Sequence, residues 1–314
     1  MQAGVKRSQP PARDQVLRQR VTALARALNG ARAGDVSAIH KARVATRRLR
    51  EALPLLREGA GRKSERMVRR LTRALGPVRE LDVALQTLEE FAQEDGVSRP
   101  ALSALRRTLA AERLLRHREA VEAIDRSDLA RLRRRVRNNS PDGQARAPLA
   151  VTAPAIDRVS RRAVRLRAII GRAASMYIPE RLHAVRIAVK KLRYALEVAR
   201  QVGGGRPARA RATRPAQTAI PRQLATLKQA QELLGRMHDL EMLIARIRLV
   251  QGAPQAPSLR VSGELDRLVR ALETECRVLH GRYIALRPQL LAVCDGLARA
   301  PAARASSRKR RGAR

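Results

Sequence analysis

Apolar residues recur at intervals of three and four along nearly the whole chain, Ala, Leu and Arg dominate, and alternating β-branched runs are almost absent. That is the period of an amphipathic helix, so the pattern predicts an all-α fold. In the first half it predicts helices over residues 13–28, 36–57, 63–93, 100–123 and 129–137, with Asp35 and Ser98 placed as N-caps. In the second half it predicts helices over residues 155–175, 179–201, 221–250 and 258–297, with Pro179 suited to a first turn.

Breaks in the pattern set the expected organisation. Residues 138–154 carry Asn, Gly and three prolines and read as a linker, which places a boundary near residue 150. Residues 203–221 read as a flexible basic loop and residues 252–257 as a shorter turn. The expected layout is a disordered basic arm over 1–12, a folded region over 13–300 and a disordered basic tail over 301–314. Within the folded region, a first bundle spans 13–137 and a second spans 155–300.

The halves repeat each other. His40-Lys-Ala-Arg-Val-Ala-Thr-Arg-Arg-Leu-Arg-Glu-Ala-Leu53 aligns with His183-Ala-Val-Arg-Ile-Ala-Val-Lys-Lys-Leu-Arg-Tyr-Ala-Leu196 at an offset of 143. Leu75-Gly-Pro-Val-Arg-Glu-Leu-Asp82 aligns with Leu234-Gly-Arg-Met-His-Asp-Leu-Glu241 at an offset of 159, and the basic loop between the second-half motifs accounts for the extra length. Duplication of a helical bundle is the economical source of both matches.

Taking His40 as zero, a helix places Arg43, Arg47 and Arg50 at roughly −60°, −20° and −80°, which makes one row. Lys41 and Arg48 flank the row, while Ala42, Ala45, Leu49, Ala52 and Leu53 form the opposite, apolar face. The repeat reproduces it: His183, Arg186, Lys190 and Arg193 form the row, Lys191 flanks it, and Val185, Ala188, Leu192 and Leu196 form the back. Like charges at these spacings repel, so folding alone does not ask for them. The row spans roughly 15 Å of helix axis, which suits an extended anion touched at successive phosphates. Arg79 and His238 occupy equivalent places in the second motif pair, each followed by an acid, Glu80 or Asp239. Two roles are open to these groups: further contacts to the anion, or ion pairs that orient the basic side chains.

Composition then narrows the partner. With 67 Lys plus Arg against 28 Asp plus Glu, the net charge is +39, and an anionic partner relieves the self-repulsion. Most of the cations are Arg, whose planar fork matches phosphate. Only Phe91, Tyr177, Tyr194 and Tyr283 are aromatic, which leaves little on which to stack nucleobases. Cys276 and Cys294 form neither a disulfide framework nor a zinc pattern and read as reduced core thiols. His117 and His280 read as ordinary helix residues. The chain has neither the apolar run of a signal peptide nor that of a membrane span, so a cytoplasmic location and no membrane partner are expected.

At these motifs the sequence resembles the CHAD family, the conserved histidine α-helical domain, across residues 16–297. The resemblance implies two helical bundles related by pseudo-two-fold symmetry and facing each other across a basic surface or pore that binds inorganic polyphosphate. Carried over by motif, it implies a binding set of His40, Lys41, Arg43, Arg47, Arg48 and Arg50 with His183, Arg186, Lys190, Lys191 and Arg193, joined by Arg79 and His238. Noncatalytic binding follows, with association with polyphosphate granules as a consequence. The competing readings are nonspecific nucleic-acid binding by the same charges and a polyphosphate-processing enzyme. Against the last, no Walker loop, HExxH helix or metal-ligand carboxylate cluster is present, and neither a metal nor a cofactor is expected. Glu273-Thr-Glu275-Cys-Arg277 is the nearest string to the strand signature of the triphosphatases fused to some family members. It lies in a helical pattern and ends in Arg.

Overall fold

The computed structural model describes residues 12–55, 61–92, 99–138, 148–173, 175–203, 214–253 and 257–299. The described residues form nine α-helices and no strand. The first five are α1 (Ala12–Arg32), α2 (Val36–Ala52), α3 (Gly61–Phe91), α4 (Arg99–Asp125) and α5 (Leu129–Arg137). The remaining four are α6 (Pro148–Ala173), α7 (Pro179–Gly203), α8 (Arg214–Gln251) and α9 (Leu259–Arg299).

Three boundaries differ from the sequence expectation by five residues or more, and proline chemistry accounts for each. The expected helix over 36–57 stops at Ala52 and tightens into a 3-10 turn at Leu53–Leu55, because Pro54 has no amide N–H to continue the ladder. Helix α8 starts at Arg214, so residues 214–221 of the expected loop are helical; Pro215 stands in the first turn, where an N–H has no intrahelical partner. The same argument moves the start of α6 from residue 155 to Pro148. The expected basic arm, apart from Ala12, lies outside the described residues, as do the rest of the expected linker at 139–147, the loop at 204–213, Ser98 and the tail.

The turn from α1 to α2 shows how locally the chain is pinned. Gly34 takes φ 86°, the left-handed region that favours glycine. Asp35 then caps α2 by accepting from the Ala38 amide at 2.5 Å. From α4, His117 Nε2 lies 3.0 Å from the Ala31 carbonyl at the end of α1. Arg113 donates both to the Gly34 carbonyl, at 2.9 Å, and to the buried Asp82 carboxylate of α3, at 2.6 Å. His117 therefore serves the fold.

Within the halves, α1 packs on α2 and α3 on α4, then α6 on α7 and α8 on α9. Between the halves, α2 packs on α7 and α3 on α8. Each of these pairs joins an element to its own repeat equivalent, the contact that a two-fold axis produces. The apolar core is exchanged across that axis. Leu81, Leu88 and Phe91 of α3 and Leu105 and Leu109 of α4 belong to the cluster built by α6 to α9, while Val198 and Val202 of α7 belong to the cluster built around α1 and α2. Arg236 of α8 reinforces the junction by pairing with Glu90 of α3 at 2.7 Å and Glu275 of α9 at 2.9 Å. The two bundles thus hold α2, α3, α7 and α8 against one another, and the repeated basic motifs ride on these four helices.

Candidate anion-binding site

Where α2, α3, α7 and α8 meet, the duplicated motifs build the same contact twice. Arg43 of α2 faces Glu80 of α3 at 3.9 Å, and Arg186 of α7 faces Asp239 of α8 at 3.9 Å. The offsets of the two sequence matches carry Arg43 to Arg186 and Glu80 to Asp239. The acids therefore hold the basic side chains in place, one of the two roles left open by the sequence. Arg79 sits beside His40 and Arg43, and its equivalent His238 lies against His183, the two Nδ1 atoms 3.3 Å apart.

The apolar backs of α2 and α7 are buried as the helical period requires, with Ala42, Leu49, Val185 and Leu192 closed to solvent. That burial draws the bases of the cationic side chains inward. Lys190 is only 9 % exposed, and Arg43 and Arg186 are mostly covered. Burial together with the neighbouring Arg186 and Arg47 lowers the Lys190 ammonium to about 6. Burial and Arg47 bring Arg43 down to about 10, and burial also lowers Arg186 against the opposing pull of Asp239. Burial, Arg186 and His183 push His238 down to about 3, while His40 and His183 are lowered chiefly by burial. Asp239 is raised by burial despite Arg186. Five basic side chains, Arg43, Arg47, Arg79, Arg186 and Lys190, thus meet the three carboxylates of Glu80, Asp239 and Glu241 in a partly desolvated space. The buried Arg186 Nε has no hydrogen-bond acceptor. Like charges brought together with so few acceptors are costly to the fold.

The rest of the expected row is distributed differently, because α2 is enclosed by α1, α3 and α7 and its cationic arc splits between neighbours. Arg50 turns toward Arg69 and Glu65 of α3. Lys41 and Arg48 line a separate cleft against α1 with Arg193, and both Arg48 and Arg193 reach Glu197, at 3.4 and 3.2 Å. Lys191 lies exposed in a small groove between α6 and α7. Sequence reasoning missed Arg20 of α1, which is buried against α7 and bonds Gln201 at 2.8 Å. Nothing in the local pattern marks it, since its neighbours in sequence include the exposed Arg18.

Among the described residues there is no group of three or more His, Cys, Asp or Glu that could hold a metal ion, and no helix long and apolar enough to cross a membrane. Cys276 and Cys294 are free and buried.

An all-helical pair of bundles that brings repeated cationic faces together defines a polyanion-binding module. The family description "CHAD domain" matches residues 15–248, and the chain belongs to the CHAD domain family. Noncatalytic, polyphosphate-related binding is the function typical of that family. Among solved structures, the crystal structure of the CHAD domain from the plant Ricinus communis is 21% identical, covers 89% of this chain and 90% of its own, and superposes with a TM-score of 0.63. PptA from Streptomyces chartreusis is 19% identical, with 88% and 99% of the two chains covered and a TM-score of 0.60. These similarities establish the fold. No curated protein matches.

Proposed function

We propose that this protein binds inorganic polyphosphate in the space between α2, α3, α7 and α8, with Arg43, Arg47, Arg79, Arg186 and Lys190 replacing the counterions of the chain. The observation that carries this reading is the paired Arg43–Glu80 and Arg186–Asp239 geometry, which aims cations of both halves at one space. His40, His183 and His238 line the same space and gain donors when an anion recharges them. Arg48, Lys41, Arg50, Lys191 and Arg193 surround it at greater distance and steer the chain by charge. Recruitment to polyphosphate granules in the cytoplasm follows from such binding.

Affinity is expected to fall steeply with salt. Engaging about ten phosphates gives a log-log slope of roughly −7, by the coefficient for single-stranded nucleic acids. A slope near −2 in a salt titration contradicts a multivalent track. Duplex DNA is the discriminating competitor. A thin phosphate chain reaches half-buried side chains that a rigid duplex does not, and the scarcity of aromatics removes base stacking as a source of affinity. Nucleic acid is accordingly expected to bind weakly and through the outer charges alone.

Gly76 supplies a built-in test of Arg43. A Cβ on Gly76 would sit 2.7 Å from Arg43 Nη1, whereas one on the repeat-equivalent Gly235 meets nothing within 4 Å. Gly76→Ala is expected to displace the guanidinium and weaken polyphosphate binding about tenfold, roughly one lost charged hydrogen bond. Gly235→Ala is expected to bind as wild type. Both changes favour the helix, so a thermal melt separates displacement from unfolding. Equal affinities for the two variants contradict the placement of Arg43 in the site.

A further inference from the structure

A cleft of about 1070 Å³ opens between α1, α2, α7 and α8, next to the space just described. Its cationic lining includes Arg20, Arg26, Arg48, Arg193, Arg200 and Lys228, and among the described residues its one acid is Glu197. Glu197 already serves Arg48 and Arg193. Of these cations, Arg20, Arg26, Arg200 and Lys228 fall outside both repeated motifs, and three different helices bring them together.

Two features go beyond a generally basic surface. Arg20 is 8 % exposed; Gln201 accepts from its Nη2, while its buried Nε and Nη1 have no hydrogen-bond acceptor. Burial lowers its pKa, and Glu197 only partly opposes that. A buried guanidinium with idle donors is costly to a fold and asks for an acceptor, and a phosphate oxygen entering the cleft supplies one. The second feature is an asymmetry between the halves. Arg162 of α6 reaches across to α2 and forms an ion pair with Glu51, and Arg158 donates to the Glu51 carbonyl at 3.2 Å. Arg20 of α1 makes the corresponding reach to α7, where its hydrogen bond goes to the neutral Gln201 and the carboxylates of Glu197 and Glu51 act on it only by charge. One side is closed by an ion pair, and on the other two guanidinium nitrogens stay without an acceptor.

The cleft also adjoins the central cluster at His40. On α2, His40, Lys41, Val44 and Arg48 face the cleft, while Arg43 and Arg47 face the central cluster, and His40 borders both. On α7, Arg193 and Arg200 continue the face that starts with Arg186 and Lys190.

We infer that this cleft is a second binding compartment for condensed phosphate, taking the stretch of chain that leaves the central cluster past His40 and anchoring it on Arg20. The inference rests on the polyphosphate reading of the central cluster. A polyphosphate chain therefore runs to one side of the pseudo-two-fold axis, because the repeat-equivalent groove at α6 and α7, where Ala184, Ile187 and Lys191 stand for Lys41, Val44 and Arg48, has a volume of only about 220 Å³.

Two variants of the full chain test this with long-chain polyphosphate. The cleft variant carries Arg26→Gln, Arg200→Gln and Lys228→Gln, all at exposed positions. The central variant carries Arg43→Gln and Arg186→Gln. The cleft variant is expected to bind at least about tenfold more weakly with a salt slope shallower by about 2, the loss of three phosphate contacts. If it binds with wild-type affinity and slope while the central variant fails, the cleft plays no part and the central reading stands. If neither variant loses affinity, both readings fall. If only the cleft variant loses affinity, the cleft is the site and the central reading is wrong. Arg20→Met adds a control for folding: its melting temperature is expected to hold or rise as affinity falls, whereas a purely structural Arg20 loses stability and leaves affinity unchanged.

Discussion

Replacing Arg43, Arg47, Arg186 and Lys190 together with glutamine is expected to weaken long-chain polyphosphate binding about a thousandfold while the chain stays helical. Four charge-assisted contacts at ~1 kcal/mol each, below the ~1.5 kcal/mol low end for single bonds to charged groups because neighbouring contacts are not additive, amount to about 4 kcal/mol. Stability moves the other way. In the free protein these cations lower one another's pKa across the α2–α7 junction, and that repulsion disappears with them. Glutamine keeps a donor for Glu80 and Asp239, so neither carboxylate is left without a partner. Circular dichroism and a thermal melt beside the binding isotherm separate loss of the site from loss of the fold.

The second large effect is a dependence on pH. Lys190, held near 6 by burial and by Arg186, Arg47 and Arg43 despite Asp239, is mostly neutral at pH 7.5 in the free protein. Internal phosphates of a condensed chain stay ionised throughout this range, so their arrival restores the ammonium and Lys190 takes up close to one proton, beside those taken up by the three histidines. Affinity is expected to fall as pH rises above about 6, by up to about tenfold per unit while the bound form keeps its proton. Stability of the free protein has the opposite slope. An unfolded lysine holds its proton up to its ordinary value of 10.5, the folded one only to about 6, so the unfolded state binds more protons in this window. Stability therefore rises with pH between those values, by at most about 1.4 kcal/mol per unit. Calorimetry in two buffers of different ionisation enthalpy reads the proton directly. Identical enthalpies in the two buffers for wild type, or unchanged proton uptake in Lys190→Gln, contradict this origin.

Much of the site was legible because the information is periodic. A helix has one hydrophobic face, so spacing alone placed Arg43 and Arg47 opposite Ala42 and Leu49, and the duplicated histidine showed that the arrangement occurs twice. Asp35 was legible as a cap for the same local reason. Properties that arise between distant segments were not. Periodicity states that Leu105 and Leu109 are buried but not that α6 to α9 bury them, and it cannot tell that α1 divides the cationic arc of α2 into two faces. Gly76 gave no signal, since a glycine inside a helix looks like a small loss of stability until Arg43 is seen against it. Arg20 is the sharpest case: one arginine among many, distinguished only by the side on which α7 packs. Pro54 and Pro215 were visible, but their effects on helix ends depended on which backbone N–H groups had partners.

Duplicated helix faces, rather than net charge, are expected to select the ligand. Competition between long-chain polyphosphate and duplex DNA at about 0.15 M ionic strength, with wild type and the four-fold glutamine variant side by side, tests it most directly. Wild type is expected to prefer polyphosphate by at least about a hundredfold, and the variant to lose this preference while keeping its weak affinity for DNA. Equal competition by DNA in wild type, or a variant that still selects polyphosphate, contradicts it.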